Sequence, residues 1–186
     1  MMGSRADNVA AAAKRYGHVL IVMRHAKAEP YGPTGDYDRP LAERGRRQAK
    51  AMGRGLLAMG LSPDRIACSA ATRTVQTCER MLRSFGDKPV VDYRQGLYEA
   101  GMQAVMDELA HTKDAHRTLM VLGHEPTMSI ASQWLASPTS DPATRDLLNL
   151  GLSTASVAVF GSDLPFARWR LHEADLLGVL TPNDVD

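Results

Sequence analysis

The fold is decided by residues 18–28, whose sequence is HVLIVMRHAKA. Val19 to Met23 form an uninterrupted apolar run that is rich in β-branched side chains and too short to cross a membrane. Such a run predicts a strand that is buried on both faces. It ends directly at Arg24 and His25. Because the working groups of open α/β sheets lie just beyond the carboxyl ends of the strands, this pair is placed where a nucleophile and an anion-binding cation can act together.

Two later stretches repeat the pattern of a short strand followed by polar side chains. Residues 65–68 predict a second strand, and SAATRTVQT follows at residues 69–77. Residues 119–122 predict a later strand, and GHEP follows at residues 123–126. Three strand ends are therefore expected to bring together two arginines and two histidines, namely Arg24, His25, Arg73 and His124.

Four ordered motifs resemble those of the histidine phosphatase superfamily and, within it, the short phosphohistidine phosphatases of SixA type. The motifs are RHA at residues 24–26, DRPL at residues 38–41 with Gly45 following, residues 69–77, and VLGHEP at residues 121–126. The resemblance covers roughly residues 18–160. One position departs from the usual pattern, since Ala26 stands where most of the superfamily has glycine, as it often does in the short branch.

The resemblance implies a fold and an activity. The implied fold is a three-layer α/β/α sandwich with a mostly parallel central sheet, like that of the phosphoglycerate mutases. The implied enzyme is a metal-independent hydrolase in which His25 takes the phosphoryl group and water then releases phosphate. No metal or other cofactor is expected, because the sequence contains no carboxylate or cysteine cluster that would bind one.

Phosphoryl transfer explains why these residue types suit the reaction. The transferring group carries spread negative charge, so catalysis consists mainly of positioning and charge neutralisation by preorganised donors. Arg24, Arg73 and a protonated His124 are expected to supply that charge. His25 must be neutral at the nitrogen that attacks phosphorus. A backbone carbonyl on its other ring nitrogen is expected to hold the required tautomer.

The position of Arg73 follows from a predicted helix. Ser69 is placed as its N-cap, and a buried stripe is expected from Val75, Cys78, Leu82 and Phe85. Arg73 then lies near the helix start and off that stripe. There the backbone N–H groups and the helix dipole already favour an anion, and a guanidinium adds a two-point contact. The alternative is a surface ion pair.

Two further side chains are weaker candidates. Arg39 follows the breaker-rich loop 29–38, which is either a plain connection or the rim of the site, and it either contacts phosphate or only orients that loop. Glu99 occupies the region where longer members of the superfamily place a proton donor. A carboxylic acid in a half-buried anionic pocket can donate a proton, whereas a glutamate that opens a helix is commonly only a dipole partner.

Composition limits the other possibilities. The 186 residues predict one domain at residues 18–180, preceded by a frayed or weakly helical extension at 1–17 and followed by a loose tail at 181–186. With 22 basic and 21 acidic residues, the chain has no basic excess for nucleic acid. No membrane-spanning stretch is found. The two cysteines, at positions 68 and 78, are expected to be reduced in a cytoplasmic protein.

Several elements away from the site are also predicted. A helix is expected to follow Pro40, with a buried stripe formed by Ala49, Met52, Leu56 and Met59. Residues 137–146 are expected to be a loop. Residues 154–160 and 166–172 are expected to pair as a hairpin at the edge of the sheet.

The expected substrate is phosphohistidine in a signalling protein. A phosphoamidate nitrogen leaves more readily than an alkoxide, which suits a site whose acid is uncertain. A chain too short for a large cap also favours an open crevice that admits a protein side chain. The alternatives are a small-molecule phosphatase or mutase of the same fold, and a non-catalytic phosphate-binding module.

Overall fold

The computed structural model describes residues 4–186, and its centre is a six-stranded sheet in the order β3-β2-β4-β1-β5-β6. The four strands from β3 to β1 in this order run parallel, whereas β5 is antiparallel to both β1 and β6. The sheet is therefore mostly parallel, as expected. The strands are β1 (His18–Arg24), β2 (Arg65–Ser69), β3 (Val90–Arg94), β4 (Thr118–Gly123), β5 (Val157–Ser162) and β6 (Asp175–Leu180).

Helices cover both faces of the sheet, so the expected three-layer α/β/α sandwich is confirmed. On one face α2 and α3 contribute Met52, Leu56 and Met81 to a buried apolar cluster. On the other face α5 and α6 contribute Val105 and Met128 to a second cluster. The helices are α1 (Arg5–Ala13), α2 (Glu43–Ala58), α3 (Thr72–Phe85), α4 (Gly96–Glu99), α5 (Met102–Ala110), α6 (Thr127–Leu135), α7 (Pro142–Asn149) and α8 (Pro182–Val185).

Strand β1 lies between these two apolar clusters. Val19, Ile21 and Met23 belong to one cluster, whereas Leu20 and Val22 belong to the other. All five side chains are fully buried. This alternation is the reason why the run has no polar residue, because successive side chains of a strand point to opposite faces of the sheet. The prediction of a strand buried on both faces is confirmed.

Before β1, where the sequence suggested a frayed or weakly helical extension, the structure has a capped helix that packs on the core. Ser4 caps α1 through a capping box with Asp7, and Val9 and Ala13 are buried in the core. The spacing of these two apolar residues puts them on the same side of the helix, which packs against β6. Residues 1–3 of the expected extension lie outside the described part of the chain.

The chain after β6 is also folded rather than loose. Thr181 and Asp184 form a capping box that starts α8, and Val185 of this short helix packs against Gly55 of α2. The carboxylate of Asp184 lies 3.5 Å from the guanidinium of Arg5. Both ends of the described chain therefore pack on the same side of the domain.

Two helix boundaries differ from the predictions because hydrogen bonds outside the helices fix the residues at these positions. Helix α2 begins at Glu43 and not at Pro40, since Leu41 first pairs with Ala28 in an isolated β-bridge. The predicted loop at residues 137–146 contains the start of α7, because the side chain of Asp141 accepts a hydrogen bond from the backbone N–H of Thr144.

The predicted hairpin has a different second strand. Strand β5 pairs with β6 at residues 175–180, whereas residues 166–168 form a 3₁₀ turn. Phe166 and Trp169 are buried there with ring centroids 5.3 Å apart, and the Trp169 indole N–H donates to the carbonyl of Leu164 at 2.8 Å. Phe166 and Trp169 therefore pack in the second apolar cluster, on one face of the sheet, and their segment does not form a strand. Within residues 4–186, no helix has the length and apolarity needed to cross a bilayer.

Candidate active site

The ends of three neighbouring parallel strands form the site. Arg24 is the last residue of β1, Ser69 ends β2, and Gly123 ends β4. The backbone N–H of His25 donates to the carbonyl of Gly123 at 3.0 Å, which links the first and third of these ends. The ring centroids of His25 and His124 lie 5.3 Å apart. The sheet therefore brings together the two histidines that the sequence placed at one edge.

His25 has the hydrogen bonds of a neutral nucleophile. Its Nδ1 lies 2.7 Å from the carbonyl oxygen of Ala26, so that nitrogen carries the proton and donates it. Nε2 therefore keeps its lone pair, which accepts a hydrogen bond from Nε of Arg73 at 3.3 Å. Burial lowers the pKa of His25 to about 3 despite the Ala26 hydrogen bond, and the neighbouring His124 and arginine charges act in the same direction. The backbone carbonyl that we expected to hold the tautomer is present.

Arg73 lies in the first turn of α3 and is buried, with 6% of its surface exposed. Its guanidinium uses Nε for His25, while Nη1 and Nη2 donate to the backbone carbonyl and the carboxylate of Asp36 at 2.8 and 3.1 Å. One planar group thus connects the proposed nucleophile to the loop above it. A guanidinium in this position can exchange these partners for the oxygens of a phosphoryl group.

Helix α3 is rotated relative to the predicted stripe, and its N-cap is Ala71 instead of Ser69. Its buried face includes Arg73, Thr74 and Thr77, whereas Val75 and Leu82 are only partly buried. The threonines can be buried because their hydroxyl groups donate to backbone carbonyls of nearby residues. The spacing of apolar residues could not predict this orientation of α3, because the buried face next to the site includes polar side chains.

Arg24 directly precedes His25 at the end of β1. Its Nη1 donates to the carbonyl of Leu152 at 3.0 Å, and its Nε is buried without a hydrogen-bond partner among the described residues. The same side chain lines a cleft of about 520 Å³ together with Glu125 and residues 150–153. Arg24 therefore carries a positive charge near His25 and has one N–H donor that is unpaired among the described residues.

His124 is held by Ser69, the residue that we had placed as a helix cap. The Ser69 hydroxyl lies 2.7 Å from Nε2 of His124, and it also accepts the backbone N–H of Ala71. Because the Ser69 hydroxyl has no other acceptor among the described residues, we assign its proton to the hydrogen bond with Nε2, which leaves the proton of the ring on Nδ1. Nδ1 is buried and has no protein partner within residues 4–186.

The sequence predicts a protonated His124 during phosphoryl transfer, and this stays a prediction; without a phosphoryl group beside it, the surroundings of His124 favour its neutral form. Burial lowers its pKa to about 4, and the positive charge of Arg73 lowers it further. His124 is therefore a neutral Nδ1–H donor at neutral pH. A dianionic phosphoryl group beside it would favour the charged form, because an opposite charge nearby raises the pKa of a histidine.

Asp36 is the site residue that the sequence did not single out. Its carboxylate accepts hydrogen bonds from Arg73, from Arg39 at 3.0 Å and from the Tyr98 hydroxyl at 2.9 Å. The Arg39 hydrogen bond, with those from Tyr98 and Arg73, lowers the pKa of Asp36 to about 2, so this carboxylate is ionised at neutral pH. It lies in a glycine- and proline-rich loop without periodicity, which offers no signal that would have indicated its role.

The two weaker candidates lie outside the contacts of the histidines. Arg39 donates to Asp36 and, through Nε, to the carbonyl of Glu29 at 2.8 Å, so the contacts of Arg39 are those of a residue that orients the loop. Glu99 ends α4, is exposed, and accepts a hydrogen bond from Gln95 at 3.0 Å. No hydrogen bond within the described chain joins Glu99 to the other candidates. The tyrosine before it, Tyr98, is the residue that faces His124, with ring centroids 5.5 Å apart.

The DRPL motif and Gly45 fix the segment that follows the nucleophile. Leu41 pairs with Ala28, and the backbone N–H of Ala42 donates to the carbonyl of Lys27 at 2.9 Å. Helix α2 then passes so close that a side chain at Gly45 would overlap the Lys27 carbonyl oxygen. Glycine is required here for close approach of two backbones.

The described part of the chain contains no cluster of three or more histidine, cysteine, aspartate or glutamate side chains that could hold a metal ion. Cys68 and Cys78 are both buried free thiols. Burial and the neighbouring Cys78 raise the pKa of the Cys68 thiol, which keeps it protonated.

Known proteins share these features. The model of the histidine phosphatase superfamily (branch 1) matches residues 20–103. An uncharacterised protein of Mycobacterium tuberculosis is 38% identical over 138 residues, which cover 74% of this chain and 85% of that protein. Residues 20–103 include RHA at residues 24–26, DRPL at residues 38–41 and the motif at residues 69–77.

Solved structures extend the similarity to almost the whole domain. A candidate phosphohistidine phosphatase SixA from Nakamurella multipartitia is 31% identical, with a TM-score of 0.76 over 89% of this chain and 96% of that one. A second SixA candidate, from Agrobacterium tumefaciens, is 27% identical, with a TM-score of 0.66 over 86% of this chain and 97% of that one. The fold, the order of the motifs and these relatives place the chain in the histidine phosphatase superfamily.

Proposed function

We propose that this phosphatase dephosphorylates phosphohistidine in a protein through a covalent phosphoryl intermediate on His25. The observation that carries the proposal is the state of His25: a neutral imidazole whose proton is fixed on Nδ1 and whose Nε2 lone pair lies 3.3 Å from a guanidinium nitrogen. A histidine in this tautomer attacks phosphorus without first losing a proton.

The reaction consists of two displacements at phosphorus. In the first, the substrate ring carries a proton, taken from solvent, on its other nitrogen; Nε2 of His25 forms a bond to phosphorus while the bond from phosphorus to the leaving nitrogen breaks, and the imidazole leaves in its neutral form with that proton. In the second, water forms the new P–O bond, the bond from phosphorus to Nε2 breaks, and His25 returns to its neutral form. Neither step requires a metal ion, because the arginines supply the positive charge.

Three side chains are proposed to bind the phosphoryl oxygens. Arg73 exchanges its Asp36 contacts for phosphoryl oxygens, and Arg24 offers the buried Nε that has no partner among the described residues. His124 donates through Nδ1, the ring nitrogen that Ser69 leaves available. Donors fixed in position before substrate arrives cost no reorganisation during the reaction, which is the main source of their catalytic effect.

Leaving-group chemistry supports phosphohistidine as the substrate. Glu99 is exposed and turned toward Gln95, so no carboxylic acid contacts the two histidines among the described residues. An alkoxide requires such an acid, whereas an imidazole leaves as a weakly basic nitrogen. The SixA candidates among the structural relatives are described as phosphohistidine phosphatases, which agrees with this substrate class.

The test compares a phosphotransfer protein carrying phosphohistidine with an aryl phosphate such as p-nitrophenyl phosphate. We expect His25→Ala to abolish release of phosphate from both substrates, and His111→Ala to leave both rates unchanged because His111 is exposed and bonded to its own helix. Wild type should prefer the phosphoprotein. A preference for small phosphate esters with no turnover of the phosphoprotein would instead indicate a small-molecule phosphatase.

A trapping experiment tests the intermediate separately. Rapid quenching in alkali should preserve a phosphoryl group on His25, because phosphohistidine is stable in base and labile in acid. Mass spectrometry of the peptide that contains residues 18–28 would locate it. Activity of wild type without any trapped phosphohistidine, combined with activity in His25→Ala, would contradict the covalent mechanism.

A further inference from the structure

Asp36 places a negative charge at the mouth of the proposed phosphate site. Its carboxylate accepts three hydrogen bonds, from Arg73, Arg39 and Tyr98. The side chain is 53% exposed, in contrast to 7% for the side chain of Arg73. The carboxylate therefore lies between the buried guanidinium and solvent.

We propose that Asp36 determines substrate specificity by charge: it disfavours phosphoryl groups whose leaving group carries an anion and favours leaving groups that carry an N–H donor or a positive charge. The proposal rests on the phosphatase function proposed above. For a phosphohistidine substrate, the leaving imidazole would present such an N–H donor to the carboxylate.

The contacts of Asp36 indicate that it stays at the mouth when substrate binds. A phosphoryl oxygen that takes Nη2 of Arg73 replaces one of the three donors of the carboxylate, whereas Arg39 and Tyr98 remain. Arg39 is itself fixed to the carbonyl of Glu29, and Tyr98 packs against Tyr37 with ring centroids 5.0 Å apart. The carboxylate thus has two anchored partners that do not belong to the phosphate-binding set.

The charge of Asp36 acts on the leaving group more selectively than on the phosphoryl group. The phosphoryl oxygens contact the arginines, whose positive charges offset the carboxylate. In the proposed binding mode the leaving group extends outward past Asp36, where Tyr98 and Tyr37 are uncharged and the ion pair with Arg39 offsets only part of the charge of the carboxylate. At a few ångströms and partial solvent exposure, one charge changes the affinity for a second charge by about a factor of three to ten.

The experiment uses three non-hydrolysable phosphonates of similar size, so that binding is measured independently of turnover. They are 2-aminoethylphosphonate, propylphosphonate and 3-phosphonopropionate, which place a positive charge, a methyl group and a carboxylate at the outer end. Dissociation constants are measured by titration calorimetry at low ionic strength. We expect wild type to bind the cationic probe most tightly and the anionic probe most weakly.

Removal of the negative charge of Asp36 should abolish the difference in affinity between the cationic and anionic probes. In Asp36→Asn the ratio of the dissociation constants of the anionic and cationic probes should fall by about tenfold. Tyr98→Phe, which keeps the ring and removes one donor to Asp36, should lower the ratio by a smaller factor. Glu29→Gln is the matched control, because it removes an exposed negative charge from the same loop while the backbone contact to Arg39 remains.

The binding measurements test the role of Asp36 separately from the proposed phosphatase function. If Asp36→Asn changes all three dissociation constants by one common factor, Asp36 only positions Arg73 and the proposal is wrong. The proposal would also be wrong if Glu29→Gln lowered the ratio of the dissociation constants as much as Asp36→Asn does. The preference for the cationic probe would then depend on the net charge of the protein and not on Asp36. Failure to hydrolyse phosphohistidine would contradict the proposed function without altering the ratio of these phosphonates.

Discussion

Nε of Arg73 lies 3.3 Å from Nε2 of His25, while the two terminal nitrogens of the same guanidinium bond to Asp36. In this arrangement the lone pair of the proposed nucleophile and the positive charge of the proposed phosphate ligand are both already satisfied within the protein. Substrate binding must therefore replace hydrogen bonds of the protein with hydrogen bonds to phosphoryl oxygens. This exchange makes Arg73 the residue on which both binding and reaction depend.

The first prediction concerns the shape of the Arg73 side chain. A lysine keeps the positive charge but cannot contact His25 and two phosphoryl oxygens with one planar group. We expect Arg73→Lys to lower kcat/KM for an aryl phosphate by about a hundredfold or more. Arg83→Lys, an exposed position later in α3, is the control and should be neutral. Wild-type rates in Arg73→Lys would show that charge alone suffices.

The second prediction concerns the hydrogen bond between Ser69 and His124. Without the Ser69 hydroxyl, no hydrogen bond from the described residues to Nε2 holds the proton of the ring on Nδ1. We expect Ser69→Ala to lower kcat by about tenfold, because part of the protein then presents the wrong tautomer. Ring nitrogen shifts measured by NMR should change from a single Nδ1–H form to a mixture. An unchanged tautomer together with a lower rate would point to a packing effect instead.

The four candidate residues, Arg24, His25, Arg73 and His124, could be predicted because the positions of the buried strands follow from the apolar pattern. The run before Arg24 requires a central strand, and parallel neighbours place their carboxyl ends at one edge. Asp36 could not be predicted in the same way, since its role depends on the path of an irregular loop that brings it over Arg73. The link between Ser69 and His124 was missed because a serine before a helix is usually a cap, and only the sheet register brings His124 next to it.

The third prediction concerns the contact between Gly45 and the segment after the nucleophile. An alanine at position 45 overlaps the Lys27 carbonyl, so either α2 or residues 26–28 must shift. We expect Gly45→Ala to lower the free energy of unfolding by about 1–3 kcal/mol and to lower kcat as well. Gly96→Ala is the control, because nothing lies within 4 Å of the added carbon. Chemical denaturation and steady-state kinetics of both variants test this, and equal stability of the two would contradict the close approach.

The last prediction concerns the pH dependence of stability. His25 has a pKa of about 3 in the folded protein, against an ordinary value of about 6.5 when the chain is unfolded. Between these values the unfolded chain binds a proton that the folded protein does not, so the free energy of unfolding falls as the pH falls. His124, with a pKa of about 4, acts in the same direction. The contribution is therefore complete above about pH 6.5 and is lost progressively below it.

Comparison of wild type with His25→Asn separates the contribution of His25 to the pH dependence of stability from that of the carboxylates, which both proteins share. Between pH 7 and pH 5, wild type should lose about 1–2 kcal/mol more stability than His25→Asn, which has no group to protonate at that position. Urea denaturation at the two pH values measures the difference. His111→Asn should follow wild type, because it removes an exposed histidine and leaves His25 and the partly buried His124 in place. If His25→Asn loses as much stability as wild type over this range, burial does not keep His25 neutral. The proposed mechanism would then be contradicted, because it depends on a neutral His25.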